Sequence, residues 1–156
     1  MTKRKTNRTD KTARFNLLKS KSPRIVIRKT NLHIITQIVT SREAQDAVIC
    51  SANSKELTNL GWTGSLKNIP SAYLTGMLLA KKAKEKGIKE GILDIGRYTS
   101  TKGSKLYAVA KGAIDGGLEI NCNEKMLPEE ERISGKNTKN PEKTNKEINK
   151  IKSQLK

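Results

Sequence analysis

The sequence predicts an α/β fold: a mixed β-sheet with elements in the order β-β-β-α-β-α, helices packed on it, a basic N-terminal extension and a polar C-terminal tail. Three observations carry this. Two runs rich in β-branched residues, Arg24–Lys29 and Leu32–Val39, are separated only by Thr30-Asn31. Two later stretches have apolar residues at helical spacing, with the short Gly-bounded run Gly91–Ile95 between them. The charge is also unevenly spread. Of a formal net +17, residues 1–30 supply eleven basic groups against one acid, Asp10.

The elements follow in order. Thr9 to Leu18 fits a short helix with Asp10 in its first turn, where negative charge suits the helix dipole. The two β-branched runs read as a hairpin, because Asn31 tolerates the left-handed geometry of a tight turn. With Thr30 and Asn31 as the two loop residues, Arg28 faces His33, Val26 faces Ile35 and Arg24 faces Gln37. Ile25, Ile27, Leu32, Ile34 and Ile38 then line the opposite, core-facing side. A longer loop changes these pairings. A third strand fits Ala47–Ala52, and Ser54 caps a short helix ending near Gly61. Pro70 suits the first turn of a longer helix running to about Lys86, with Gly87 at its C′ position. Gly91–Ile95 reads as a buried strand reached by a crossover. Leu106, Val109, Ala110, Ala113 and Ile114 mark the second long helix, ended by Gly116-Gly117. The implied crossover joins the third and fourth strands and is right-handed.

At 156 residues the chain has room for one domain and tails. Only 3% of residues are aromatic, so the core must come from Ile, Leu, Val and Ala. No apolar stretch reaches transmembrane length, the N-terminus lacks the apolar core of a secretory signal, and a basic amphipathic membrane helix has only Phe15, Leu17 and Leu18 to offer. Cys50 and Cys122 have no CxxC partner and read as buried free thiols of a reducing cytoplasm. The boundaries implied are an extension over residues 1–22, an α/β domain over 23–122 and a charged segment over 123–156, expected to be disordered without partners. Ile148, Ile151 and Leu155 mark one side of a transient helix within it.

A basic leader of this density repels itself and needs an acidic polymer to condense it, which points to nucleic acid. Arg4, Arg8, Arg14 and Lys19 can neutralise phosphates and release counterions. The hairpin strip of Arg24, Arg28, His33 and Gln37 is either a platform for RNA backbone and bases or a solvated sheet face. Lys102-Gly103-Ser104-Lys105 opens a helix whose free amides suit a phosphate, and equally reads as a plain helix start. Trp62 is a base-stacking candidate or a core plug. Lys81, Lys82, Lys84 and Lys86 are explained by the negative end of their helix.

No Walker A, GxGxxG, GxSxG or HExxH motif is present, and His33 is the single histidine, so no cofactor or small-molecule substrate is expected. Asp94, with Asp46 and Asp115, is the one set that metal-dependent RNA processing could use. That chemistry needs convergent carboxylates, and a hydrogen-bonded Asp at a strand end is the simpler reading.

Four ordered blocks carry a resemblance. Residues 23–34 (PRIVIRKTNLHI), 72–83 (AYLTGMLLAKKA), 92–96 (ILDIG) and 101–119 (TKGSKLYAVAKGAIDGGLE) resemble the archaeal and eukaryotic-type ribosomal large-subunit protein eighteen family, as does Pro128–Ile133. The resemblance spans roughly residues 10–137. It implies a compact α/β domain that is a structural, non-enzymatic part of the large ribosomal subunit in the cytoplasm. Its partners would be 5S ribosomal RNA, seated in the central protuberance, large-subunit ribosomal RNA, and neighbouring ribosomal proteins. Arg24, Arg28, Lys29, Asn31 and His33 match the family's RNA-facing hairpin. Arg4, Arg8 and Arg14 fall within its basic extension, and Lys102, Gly103, Ser104 and Lys105 match its Lys-Gly-Ser-basic loop. Leu32 and Ile35 stand where the family usually carries basic residues, which lowers the hairpin's charge. The competing readings are a metal-dependent RNA-processing enzyme centred on Asp94 and a non-specific basic nucleic-acid binder.

Overall fold

The computed structural model describes residues 11–42, 45–138 and 140–155. A short helix, α1 (Lys11–Leu18), precedes strands β1 (Arg24–Lys29), β2 (Ile34–Arg42) and β3 (Gln45–Asn53). A 3-10 helix over Ser54–Leu60 leads to α2 (Ile69–Glu85) and then β4 (Glu90–Asp94). Helix α3 (Lys105–Asp115), β5 (Glu119–Ile120), a second 3-10 turn, α4 (Glu130–Ile133) and α5 (Pro141–Leu155) complete the chain.

The five strands form one sheet in the order β3-β2-β1-β4-β5. β1, β2 and β3 pair antiparallel, whereas β4 pairs parallel to β1 and β5 parallel to β4. The sheet is therefore mixed, as the sequence predicts. β4 does not lie beside β3, however: α2 carries the chain across two strands to the far side of β1. β5 is too short to leave a pattern in the sequence.

Alternation puts Ile25, Ile27, Ile34, Thr36 and Ile38 on the inner face, all essentially inaccessible. Thr36 tolerates this because its hydroxyl donates to the Ala52 carbonyl at 3.0 Å. Helices α2 and α3 cover that face with Leu74, Met77, Leu106 and Val109. The two helices cross unusually closely. A Cβ added at Gly76 would lie 2.1 Å from the Val109 carbonyl oxygen, and one at Gly112 would lie 2.0 Å from that of Tyr73.

Helix α2 begins as expected, with the Asn68 side chain accepting from Ser71 N–H at 2.8 Å and Pro70 in the first turn. It ends with Gly87 at φ +72°, where Gly87 and Ile88 N–H groups donate back to the Lys84 and Ala83 carbonyls.

Four expectations need correction. The hairpin loop has four residues, not two. The Thr30 hydroxyl accepts from the N–H groups of Leu32 and His33 and donates to the His33 carbonyl, which closes the loop over residues 30–33. The register thus shifts by two: Arg28 pairs with Ile35, Val26 with Gln37 and Arg24 with Val39. A shift of two keeps each side chain on its face, so the two faces survive while the pairings change. Leu32 moves from the apolar face into the loop and is 70% exposed. The cap of the short helix is Asn53, which forms a reciprocal capping box with Glu56; Ser54 is buried and its hydroxyl accepts from Ile34 N–H.

The fourth correction concerns the C-terminal segment. Residues 141–155 form helix α5, with Ile148, Ile151 and Leu155 buried in the same core as the sheet and α2. These three residues form one helical stripe, and α2 supplies the apolar surface that an isolated segment lacks.

Trp62 is a core plug, 2% exposed, with its indole N–H to the Ser65 carbonyl at 3.3 Å. Cys50 and Cys122 are half-buried free thiols, and burial pushes both thiol pKa values up.

Candidate nucleic-acid interface

On the outer sheet face, three arginines alternate with two aspartates. Arg24 reaches Asp94 on β4 (Nη1 to Oδ2, 2.9 Å) and, on its other side, Asp46 on β3 (Nη2 to Oδ1, 2.8 Å). Asp46 in turn accepts from Arg14 of α1 at 3.0 Å. Asp94 also holds Arg28 (Nη2 to Oδ1, 3.3 Å), whose Nη1 donates to the carbonyls of Ile27 and Asp94. Burial alone would raise the Asp46 carboxyl, but the hydrogen bond and charge of Arg24 and the charge of Arg14 outweigh it. The carboxyl is held below its usual range.

This arrangement divides the strip into two kinds of residue. Arg24 is 4% exposed, and both ends of its guanidinium are taken by carboxylates. It is a structural tie across the sheet rather than an open cation. Arg28 keeps 42% of its side chain exposed while its geometry is fixed by Asp94. Its guanidinium lies on Gly96, where an added Cβ would come 3.0 Å from Cζ. Gly96 sits at φ +61° and donates to Asp94 Oδ1, so only glycine fits that turn without strain. Gln37 is half-buried opposite Val26.

At the hairpin tip Lys29 and Asn31 are exposed and His33 is half-buried, its main chain held by Thr30. Lys29 Nζ lies 5.0 Å from the Tyr98 ring centroid, and the Tyr98 hydroxyl donates to the Lys29 carbonyl at 2.8 Å. The β4–α3 loop is thereby seated against the hairpin. The residue-level reading missed Tyr98 and the arginine partners of the two aspartates, although it had Asp94 as a hydrogen-bonded carboxylate at a strand end, as the structure has it. Their role depends on β4 pairing with β1, and the one signal for Tyr98 was an aromatic flanked by Arg97 just after a strand.

The loop matching the Lys-Gly-Ser-basic pattern lies further on. Lys102 and Lys105 are exposed, Gly103 is buried with its carbonyl accepting from Arg132, and Ser104 is the N-cap residue of α3 without a side-chain cap bond. Arg14 stands on α1, which crosses the outer face and leaves a groove of about 1000 Å³ over Val26, Gln37, Val39 and Val48. Arg4 and Arg8 lie outside the described residues.

The carboxylates named for metal chemistry do not converge. Asp46 and Asp94 are drawn to arginines, Asp115 accepts from the Tyr73 hydroxyl, and no metal-holding cluster exists among the described residues. No helix among them is long and apolar enough to cross a membrane.

Comparison with known proteins identifies the family. Residues 1–91 match the family described as ribosomal large subunit proteins 60S L5 and 50S L18. Large ribosomal subunit protein uL18 of Korarchaeum cryptofilum is 49% identical over 133 residues, covering 85% of this chain and 68% of that protein. The uL18 proteins of Methanoregula boonei and Methanospirillum hungatei are 48% and 47% identical over the same length, each covered to 76%. The chain belongs to this family of large-subunit ribosomal proteins.

Proposed function

We propose that the chain binds 5S ribosomal RNA and helps seat it in the central protuberance of the large subunit. Membership of a ribosomal protein family makes it a non-enzymatic ribosomal component, with ribosomal RNA and neighbouring ribosomal proteins as its surroundings. The observation that supports the finer reading is the preformed hairpin tip. Exposed Lys29 and a pre-positioned Arg28 at the end of β1 stand beside Asn31 and His33 of the loop, which Thr30 closes, and Tyr98 holds the Lys29 carbonyl. Such a surface reads folded RNA by shape and backbone. Lys102 and Lys105 add charge on the β4–α3 loop, and Arg14, with Arg4 and Arg8 of the extension, neutralises phosphates. Arg24 is left out, because its charge is already compensated inside the sheet.

The test is binding of 5S RNA against a tRNA competitor across a salt series. Wild type, R28A/H33A and the tip variant K29A/N31A are compared, each first checked for a native unfolding transition. Preference for 5S RNA that persists at higher salt and is lost in both variants supports the reading. Equal, salt-labile binding of both RNAs, indifferent to the substitutions, reduces the protein to a non-specific basic binder.

A further inference from the structure

We propose that the exposed face of α5 is a second RNA-binding surface, which takes the phosphate backbone of an RNA duplex other than the segment met by the hairpin. Helix α5 packs on α2, and α2 covers the inner side of the sheet, so this face points away from the outer-face network.

The face is held rigidly. Ile148, Ile151 and Leu155 are buried, and the Glu147 carboxylate accepts from both the N–H and the hydroxyl of Thr63. Lys81 of α2 donates to the Gln154 carbonyl at 2.7 Å, and Lys152 Nζ lies 4.6 Å from the Tyr73 ring centroid. Two basic side chains are thus spent on seating the helix.

The remaining three have no such task. Lys143, Lys146 and Lys150 are exposed and recur at i, i+3 and i+7, which places them in one row along the helix. Lys146 and Lys150 make no ion pair among the described residues, and Lys143 has only Glu147 at 3.9 Å. Glu147 is turned inward, its side chain 15% exposed and held by Thr63, so it reaches Lys143 only at 3.9 Å and leaves Lys146 and Lys150 without a carboxylate partner among the described residues. A straight row of ammonium groups, two of them without a carboxylate partner, flanked by the exposed amides of Asn149 and Gln154 and with no aromatic on the helix to stack on a base, suits a regular polyanion. In a ribosomal protein that polyanion is duplex RNA. The row does not depend on the hairpin's preference for 5S RNA.

The test uses the full chain and a short RNA duplex of arbitrary sequence, added free or to the preformed complex with 5S RNA. The variants are K143Q/K146Q/K150Q and the charge-keeping K143R/K146R/K150R, with thermal unfolding as a control. The expected result is a log–log salt slope for duplex binding lower by about two to three in the Gln variant and unchanged in the Arg variant. Acetylation of the three lysines should also be slowed by the duplex. A Gln variant with the wild-type slope overturns the proposal, as does protection of these lysines by other ribosomal proteins but not by RNA. Loss of 5S preference in the wild type, with the slope difference intact, overturns the hairpin reading alone.

Discussion

Arg24 and Asp94 meet across the outer sheet face at 2.9 Å, with side chains only 5% and 8% exposed, and they join the two halves of the sheet. β1 enters through a hairpin and β4 through a helical crossover, so this pair ties a local element to a non-local one. Removing one member of a buried ion pair leaves the other uncompensated. We expect R24A to lower stability by about 3–5 kcal/mol, read from urea unfolding. R24K should recover little, because one ammonium cannot span Asp46 and Asp94 as the forked guanidinium does. An R24A variant as stable as wild type would show that the pair is not a tie.

Acid should loosen the same network. The Asp46 carboxyl titrates below its usual value, so its contribution to stability is fully present above the unfolded-state pKa of about 3.9. It is lost as pH falls through the lower folded value. D46N should therefore be less stable than wild type at neutral pH, and the two curves should converge below about pH 4. Parallel curves down to the lowest pH would mean that Asp46 gains nothing from Arg24 and Arg14.

The fold was legible where local chemistry decides it. The period-two pattern of β1 and β2, the Pro70 start and the Gly87 stop of α2, and the apolar spacing of α3 each specify their element alone. The hairpin register was not legible, because it turns on the Thr30 hydroxyl closing a longer loop, although the shift of two left the faces unchanged. The pairing of β4 with β1 was hidden as well, and with it the reason Arg24 is buried. Arg24 and Arg28 look alike in the sequence. Only the carboxylates brought in by β3 and β4 turn one into a structural tie and leave the other partly exposed. Helix α5 was legible as a stripe but not as a docked helix, since its partner surface is formed by α2.

The crossing of α2 and α3 gives a third prediction. The Cβ that G76A would add meets a backbone carbonyl oxygen at 2.1 Å, which cannot rotate away as a side chain would. The helices must separate, opening the core at Leu74 and Val109. We expect a loss at or above the upper end of the usual 1–3 kcal/mol range for overpacking, seen as a lower urea midpoint with little change in slope. G87A makes a useful contrast: nothing lies within 4 Å of its Cβ, so its cost is only the strain of φ +72°. If G76A were no worse than G87A, the close crossing would not be a constraint.

Tyr98 gives the last prediction, because it separates the shape of the hairpin tip from its charge. Its hydroxyl bond to the Lys29 carbonyl is worth about 0.5–1.5 kcal/mol and its exposed cation–π contact about 0.5–1 kcal/mol. Y98F keeps the ring under Lys29 and should bind 5S RNA nearly as well as wild type. Y98A removes both contacts, frees the Lys29 side chain and unseats the β4–α3 loop, yet leaves the net charge unchanged. If the tip acts as a preformed surface, Y98A should weaken 5S RNA binding by about tenfold, with the wild-type salt slope retained, because no phosphate contact is lost. If charge alone decides affinity, Y98A and wild type will bind equally.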